Sequence, residues 1–329
     1  NPNPSPSPNP NPNPNPNPAQ VAVLSRPSIV IRGVDSLFYN FRFHTMEKQE
    51  QGVFIKVSDD AIVDLSGDAP VVTEIVPLGY KDHSLAGNEF DASDRDDGIN
   101  IANHPVFGMY MPDSIASYAG ADGSTYLVIA NEGDAREWGD YAEEERVKDL
   151  DLDPTAFPDA DALQADDNLG RLTVTKELGD TDGDGDYDAL YAYGARSFSI
   201  LNDKGEMVFD SGASIEKIIA ARYPELWDDS RSDNKGPEPE GVTVGHYGAS
   251  TLAFIGLERS SAVMVFDITD PENVTFLDMI RSEGDVSPEG VLYIAAADSA
   301  DGVAKLIVAN EVSGTTSLYN IEAPLAVDL

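Results

Sequence analysis

The sequence contains no cysteine, so zinc ribbons, iron–sulfur clusters, catalytic thiols and disulfide scaffolds are all excluded. Basic residues are few: 21 Lys and Arg stand against 59 Asp and Glu among 329 residues, for a formal charge of −38. A surface this negative repels phosphate backbones and anionic lipid, which argues against nucleic-acid and membrane-surface binding. No apolar run reaches the roughly 18 residues that a membrane-spanning helix needs. Only four histidines occur, His44, His83, His104 and His246, and none sits in an HExxH or other paired spacing, so a histidine-ligated zinc site has no support. A nucleophile elbow, a Walker loop and a strand-linked GxGxxG are also missing. Lys81-Asp82-His83 is the one local acid–base pairing, and a loop histidine beside an aspartate is usually incidental. No secretory signal is read in the sequence, as expected of a mature chain.

What is present divides into a tail and a body. Proline occupies every even position from Pro2 to Pro18, with Asn or Ser between. Residues 1–18 therefore read as an uncharged, extended linker or stalk. Residues 19–329 carry all of the acidity and, at 41% apolar residues for the whole chain, enough hydrophobic material for a core. Short runs rich in Val, Ile and Phe predict strands at Ser28–Val34, Leu37–His44, Gly52–Val57 and Val71–Leu78. Met46–Gln51 and the Asp-rich stretch 81–104 (Asp91, Asp94, Asp96, Asp97) predict loops.

A repeat runs through residues 105–321. Pro112-Asp-Ser-Ile115 precedes Tyr126–Glu132. Pro239-Glu-Gly-Val242 precedes Leu252–Glu258 and Ala262–Ile268. Pro288-Glu-Gly-Val291 precedes Lys305–Glu311 and Thr315–Ile321. A weaker copy links Leu172–Thr175, Leu190–Arg196 and Ser197–Leu201. Three or four strands per roughly 40–50 residues is the spacing of a β-propeller blade. The expected fold is all-β, a β-propeller with short helical insertions at Ser214–Tyr223, capped by Ser214, and near Glu143–Leu150. The clear repeat supplies about four blades, and residues 19–80 one or two more.

The sharpest chemical motif is Asp180-Thr-Asp182-Gly-Asp184-Gly-Asp186-Tyr-Asp188, set between two predicted strands. Carboxylates at this spacing, with glycines that let the loop fold back, make a ring of hard oxygen ligands suited to Ca²⁺. An EF-hand would place a bidentate Glu at position 12, but Tyr191 stands there, so the pattern is closer to the calcium loops of propeller hairpins. Its expected role is to stiffen a hairpin; the alternative is a solvated acidic turn. The second signal is a set of acids at equivalent repeat positions: Asp113, Glu132, Glu240, Glu258, Glu289 and Glu311. In a propeller such positions converge near the axis, where carboxylates either bind a cation or accept structural hydrogen bonds. Arg136, Arg196 and Arg259 recur beside them, either as structural ion pairs or, next to a metal, as a phosphate clamp.

Several longer stretches carry a family resemblance. Leu78–Ser84, Tyr126–Ala135, Glu144–Asp149, the aspartate loop, Lys235–Gly241 and Ala309–Thr315 resemble the choice-of-anchor I proteins over about residues 77–321. These are secreted bacterial surface proteins, similar to mesenchyme-specific cell-surface glycoproteins of animals. The resemblance implies a β-propeller, export and frequent cell-surface attachment. Some members are labelled alkaline phosphatase-like. Family members carry a longer propeller half before the segment that corresponds to Leu78–Ser84, whereas about 60 residues separate it here from the Pro-rich tail. The expectation is therefore an incomplete ring, or one completed by another chain, with open edges that favour a homo-oligomer or filament. Two functions follow. The first is a secreted, calcium-binding, non-enzymatic surface or extracellular-assembly protein. The second is a metal-dependent phosphoesterase in which Glu240 and Glu289, with Glu132, Glu258 and Glu311, hold cations while Arg136, Arg196 and Arg259 clamp phosphate.

Overall fold

A computed structural model describes residues 59–64 and 71–322, together with three short strand segments at Val21–Val23, Ser28–Ile29 and Tyr39–Asn40; side chains are described from residue 75 onward. The Pro-rich tail, the Met46–Gln51 loop and most of the strands expected between residues 28 and 57 lie outside the described residues. Where the expectation can be compared, Val71–Pro77 is a strand and pairs with Asp59–Asp64.

The body is mostly β, built as several separate sheets, and among the described residues none closes on itself. The first of the larger sheets has five strands, in the order Glu144–Arg146, Thr173–Thr175, Tyr191–Tyr193, Phe107–Met109, Tyr80–Asp82. The second runs Met207–Asp210, Ser197–Asn202, Thr125–Asn131, Ser114–Ala119. The third is an antiparallel meander of Pro239–Tyr247, Ser250–Leu257, Ala262–Asp267 and Thr275–Ile280. The fourth is a three-stranded meander of Pro288–Ile294, Lys305–Asn310 and Thr315–Asn320.

Side-chain alternation explains why the sheets stack. In Ser250–Leu257 the residues Ala253, Ile255 and Leu257 face one way and Leu252 and Phe254 the other, because successive Cβ atoms point to opposite faces. The first set packs with Val128, Ala130, Phe198 and Ile200 of the second sheet. The second set packs with Leu306 and Val308 of the fourth. Each large side chain fully buried in this way contributes about 1.5–3 kcal/mol. The first sheet has its own core around Phe90, Leu172, Val174 and Leu190.

Three local expectations change. The weak repeat copy is not one sheet: Thr173–Thr175 and Tyr191–Tyr193 lie in the first sheet, and Ser197–Asn202 lies in the second, paired with Thr125–Asn131. The chain turns from one sheet to the next at Gly194 (φ +72°) and Arg196 (φ +53°). A Cβ on Gly194 would lie 2.1 Å from the carbonyl oxygen of Glu132, so the backbones touch there and only glycine fits. The helix spans Ser214–Arg222 and buries Ile215 and Ile219, but its N-cap is Ala213, and Ser214 makes no capping bond. Around Glu143–Leu150 the chain forms a strand and then a 3-10 turn, Val147–Asp149.

Candidate acidic sites

The aspartate loop folds back on itself through its own backbone. Asp180 accepts hydrogen bonds from the amides of Gly183 (2.7 Å) and Gly185 (3.2 Å). Asp188 accepts from the amide (2.8 Å) and hydroxyl (2.6 Å) of Thr181. The result brings one carboxylate oxygen each of Asp180, Asp182 and Asp188 within 4.8 Å of one another. Asp186 and Asp188 form a second such group with Asp153. Sequence reasoning missed Asp153. It arrives through a parallel bridge between Leu152 and Tyr187, in which the Asp153 amide donates to the Tyr187 carbonyl at 3.1 Å. The Asp149-x-Asp151-x-Asp153 alternation is the only sequence sign of it. Asp184 belongs to neither group and accepts the Asp186 amide at 3.2 Å. Crowding shows in the electrostatics: the Asp184 charge beside Asp182 raises its pKa, and desolvation together with Asp184 pushes Asp186 up to about 6.

The repeated acids converge where the second, third and fourth sheets meet. Asp113 directly precedes the strand Ser114–Ala119, Glu132 follows Thr125–Asn131, Glu240 lies in Pro239–Tyr247, Glu258 follows Ser250–Leu257, and Glu289 lies in Pro288–Ile294. Asp113, Glu132 and Glu240 are all buried, and one oxygen of each lies within 4.8 Å of the others. Glu132 also joins Glu238 and Glu258 in a second buried group. Glu238 was not among the expected acids, yet it is wholly buried with φ +55°. Its signal is the Pro237-Glu238-Pro239-Glu240 run, in which a proline of fixed φ stands on each side of Glu238. Glu289 is hydrogen-bonded to Glu240. Glu311, by contrast, is exposed, and its backbone amide donates to Ser287; it joins neither group.

Cations accompany the second group. Lys235 Nζ lies 2.5 Å from Glu132 Oε1 and 3.4 Å from Glu238 Oε2. Arg259 contacts Glu238 (3.2 Å) and Glu258 (3.1 Å), and Arg231 donates to Glu238. Burial alone would raise Glu238, but Lys235 and Arg231 outweigh it and hold the carboxyl below its usual range. Glu240 is pushed up to about 9, first by burial and then by the Glu132 and Glu289 charges; burial also pushes Glu258 up to about 7, against the opposing pull of Arg259.

The raised Glu240 has a consequence for pH. Its folded pKa lies above the ordinary 4.5, so the folded state binds the proton more tightly than the unfolded chain. The associated stability is intact below about pH 4.5 and is lost progressively as pH rises toward 9. In metal-free buffer the melting temperature is expected to fall across this window, and Glu240→Gln to flatten the fall. Thermal melts at pH 5, 7 and 9 measure both; an equal slope in the variant would contradict the assignment.

The other two arginines are committed elsewhere. Arg136 Nε lies 2.9 Å from Glu143, which also accepts from Thr175. Arg196 pairs with Glu216 (3.0 Å) and donates to the carbonyls of Asp91, Ser232 and Asn234. Both are ion-pair arginines within the fold. Lys81-Asp82-His83 is not an acid–base pair either. Asp82 accepts from Ser84, His83 Nδ1 sits 2.6 Å from the Asn88 carbonyl, and burial drives His83 down to about 3. Lys81 is buried against Asp210 at 2.6 Å.

These features define a class: an all-β protein of stacked sheets with one partly exposed and one buried acidic cluster. The chain belongs to the choice-of-anchor I family, whose domain matches residues 45–271. Among proteins it resembles are Gigasin-3a of Magallana gigas, 30% identical over 49% of this chain and 67% of that protein, and a mesenchyme-specific cell surface glycoprotein of Strongylocentrotus purpuratus, 26% identical over 75% of this chain and 36% of that protein. A crystal structure of a functionally unknown protein from Desulfotomaculum acetoxidans DSM 771 overlaps 81% of this chain and 63% of its own at 11% identity, with a TM-score of 0.25, too low to bear on the fold. Among the described residues no helix is long and apolar enough to cross a membrane.

Proposed function

We propose that this protein is a secreted or cell-surface, calcium-binding, non-enzymatic assembly protein whose sheets are arranged as propeller blades. The observation that carries the reading is the aspartate loop. Three of its carboxylates are brought within one cation's reach, the charge of Asp184 raises the pKa of Asp182, and a bound Ca²⁺ would relieve that repulsion. Asp180, Asp182 and Asp188 would hold the ion, and Asp188 is shared with the second group, Asp153 and Asp186. The serial stacking of the sheets supports the blade arrangement, and the cell-surface relative supports the location.

The phosphoesterase reading keeps one supporting observation, the buried convergence of Asp113, Glu132 and Glu240. It loses two of its three clamping arginines, because Arg136 and Arg196 are engaged with Glu143 and Glu216. The test is an ion count. Elemental analysis of protein dialysed against Ca²⁺ is expected to find calcium, and Asp182→Ala to lower the count. Equal counts in the variant and the wild type would retire the loop. Hydrolysis of a generic phosphomonoester that Glu240→Gln abolishes would favour the second reading.

A further inference from the structure

A small hairpin, Glu137–Trp138 with Tyr141–Ala142, belongs to no larger sheet among the described residues. Gly139 (φ +60°) lies in its turn. Trp138 is 60% exposed, more than any other described aromatic side chain. Tryptophan is on average a well-buried residue, so a ring held out on a charged surface calls for a cause. The ring is fixed in place. Register sets Trp138 opposite Tyr141, and the two rings stack with centroids 4.8 Å apart and 29° between their planes. The Tyr141 hydroxyl donates to Glu177 at 2.9 Å, and at the base of the hairpin the Glu143 amide donates to the Arg136 carbonyl at 2.9 Å. A ring ordered before binding costs little entropy when a ligand arrives. Tyr141 already takes up cations: the Arg136 guanidinium and the Lys176 ammonium each lie 5.6 Å from its ring centroid. Among the described residues no cation lies over Trp138, although indole has the stronger π-face.

Charge selects the occupant. Residues 134–145 hold six acidic residues and one basic residue, Arg136. Arg136 is buried and donates to Glu143, whereas Glu137, Asp140 and Glu144 are exposed. Their crowding registers in Glu144: burial raises its pKa, and the Asp134 and Glu137 charges add to the rise against the pull of Arg146 and Lys235. An anionic ligand would be repelled here. A wholly apolar partner would cover Glu137 and Asp140 without pairing them, which costs energy. A second copy of the chain would set −38 against −38. A guanidinium meets both demands. Its charge is attracted by the ring face, its plane stacks on the indole, and its N–H groups are donors for the carboxylates.

We propose that the Trp138–Tyr141 hairpin, with Glu137 and Asp140, is a docking platform for arginine side chains of a basic protein partner. The proposal is independent of the calcium reading. It is tested by titration calorimetry of the full chain with octa-arginine, at about 0.15 M salt, where attraction is screened beyond about 8 Å. Binding is expected to weaken about three- to tenfold in Trp138→Ala. The variant has the same net charge as the wild type, so general attraction of a polycation to an acidic surface cannot produce that difference. Trp138→Leu keeps an apolar side chain against Tyr141 and is expected to lose as much, which separates the π-face from the order of the hairpin. Trp138→Phe is expected to lose less, since it retains a ring of weaker attraction. Octa-citrulline, similar in shape but uncharged, is expected not to bind. The proposal is overturned if Trp138→Ala and Trp138→Leu bind octa-arginine as the wild type does, which would leave only non-specific charge attraction. It is also overturned if octa-citrulline or neutral maltoheptaose binds in a Trp138-dependent way, which would give the ring to an uncharged ligand.

Discussion

Replacing Arg196 by methionine is expected to lower the melting temperature by roughly 6–20 °C. The side chain is 5% exposed and joins three separate parts of the chain. One Nη reaches Glu216 of the helix and the Asp91 carbonyl of the long loop; the other reaches the Ser232 and Asn234 carbonyls. The guanidinium also lies 4.5 Å from the Phe90 ring centroid. Methionine fills similar volume but leaves Glu216 buried without its cation, and breaking a buried pair from one side costs about 3–5 kcal/mol. For a domain of this size each kcal/mol moves the transition by about 2–4 °C. Glu216→Gln in the methionine background removes the stranded charge, so part of the loss is expected to return, with a coupling of about 0.5–3 kcal/mol. A methionine variant that melts with the wild type would show that the network contributes nothing. That result would leave the guanidinium available for another role.

Removal of the proposed Ca²⁺ is expected to have the second large effect. At a free Ca²⁺ concentration about 100 times the dissociation constant, binding stabilises the folded state by about 2.7 kcal/mol, or roughly 5–10 °C at the conversion above. EDTA is expected to abolish that increment in the wild type and to leave Asp182→Ala unmoved. The order of the two proteins should also cross. With calcium the wild type melts higher; in EDTA the variant melts at or above the wild type, because the repulsion that Asp184 exerts on Asp182 has been removed. A wild type whose melt ignores both EDTA and added Ca²⁺ would contradict the loop's proposed role.

The aspartate loop was legible because its ligand-type residues lie within nine consecutive positions and its glycines mark the turns. Asp153 was not, because it reaches the loop only through pairing with Tyr187, 34 positions later. The acids at repeated positions were legible as a set, since a repeated strand unit returns the same position to the same place in each sheet. Their individual fates were not. Glu289 and Glu311 look alike in the repeat, yet one is bonded to Glu240 and the other is exposed. The arginines were ambiguous for the same reason: spacing places a guanidinium near a strand end but does not say which carboxylate packs against it.

Alternating apolar residues, turn glycines and the repeated Pro-acid-x units determined by themselves that the chain is mostly β, that it repeats, and that its acids recur in register. All of these depend on neighbours within a few residues. Which strands share a sheet, which buried glutamate keeps a proton and which arginine neutralises which acid were decided only by the tertiary structure. Those outcomes depend on burial and on distances of a few ångströms between residues far apart in the chain, where desolvation and Coulomb energies change steeply with position.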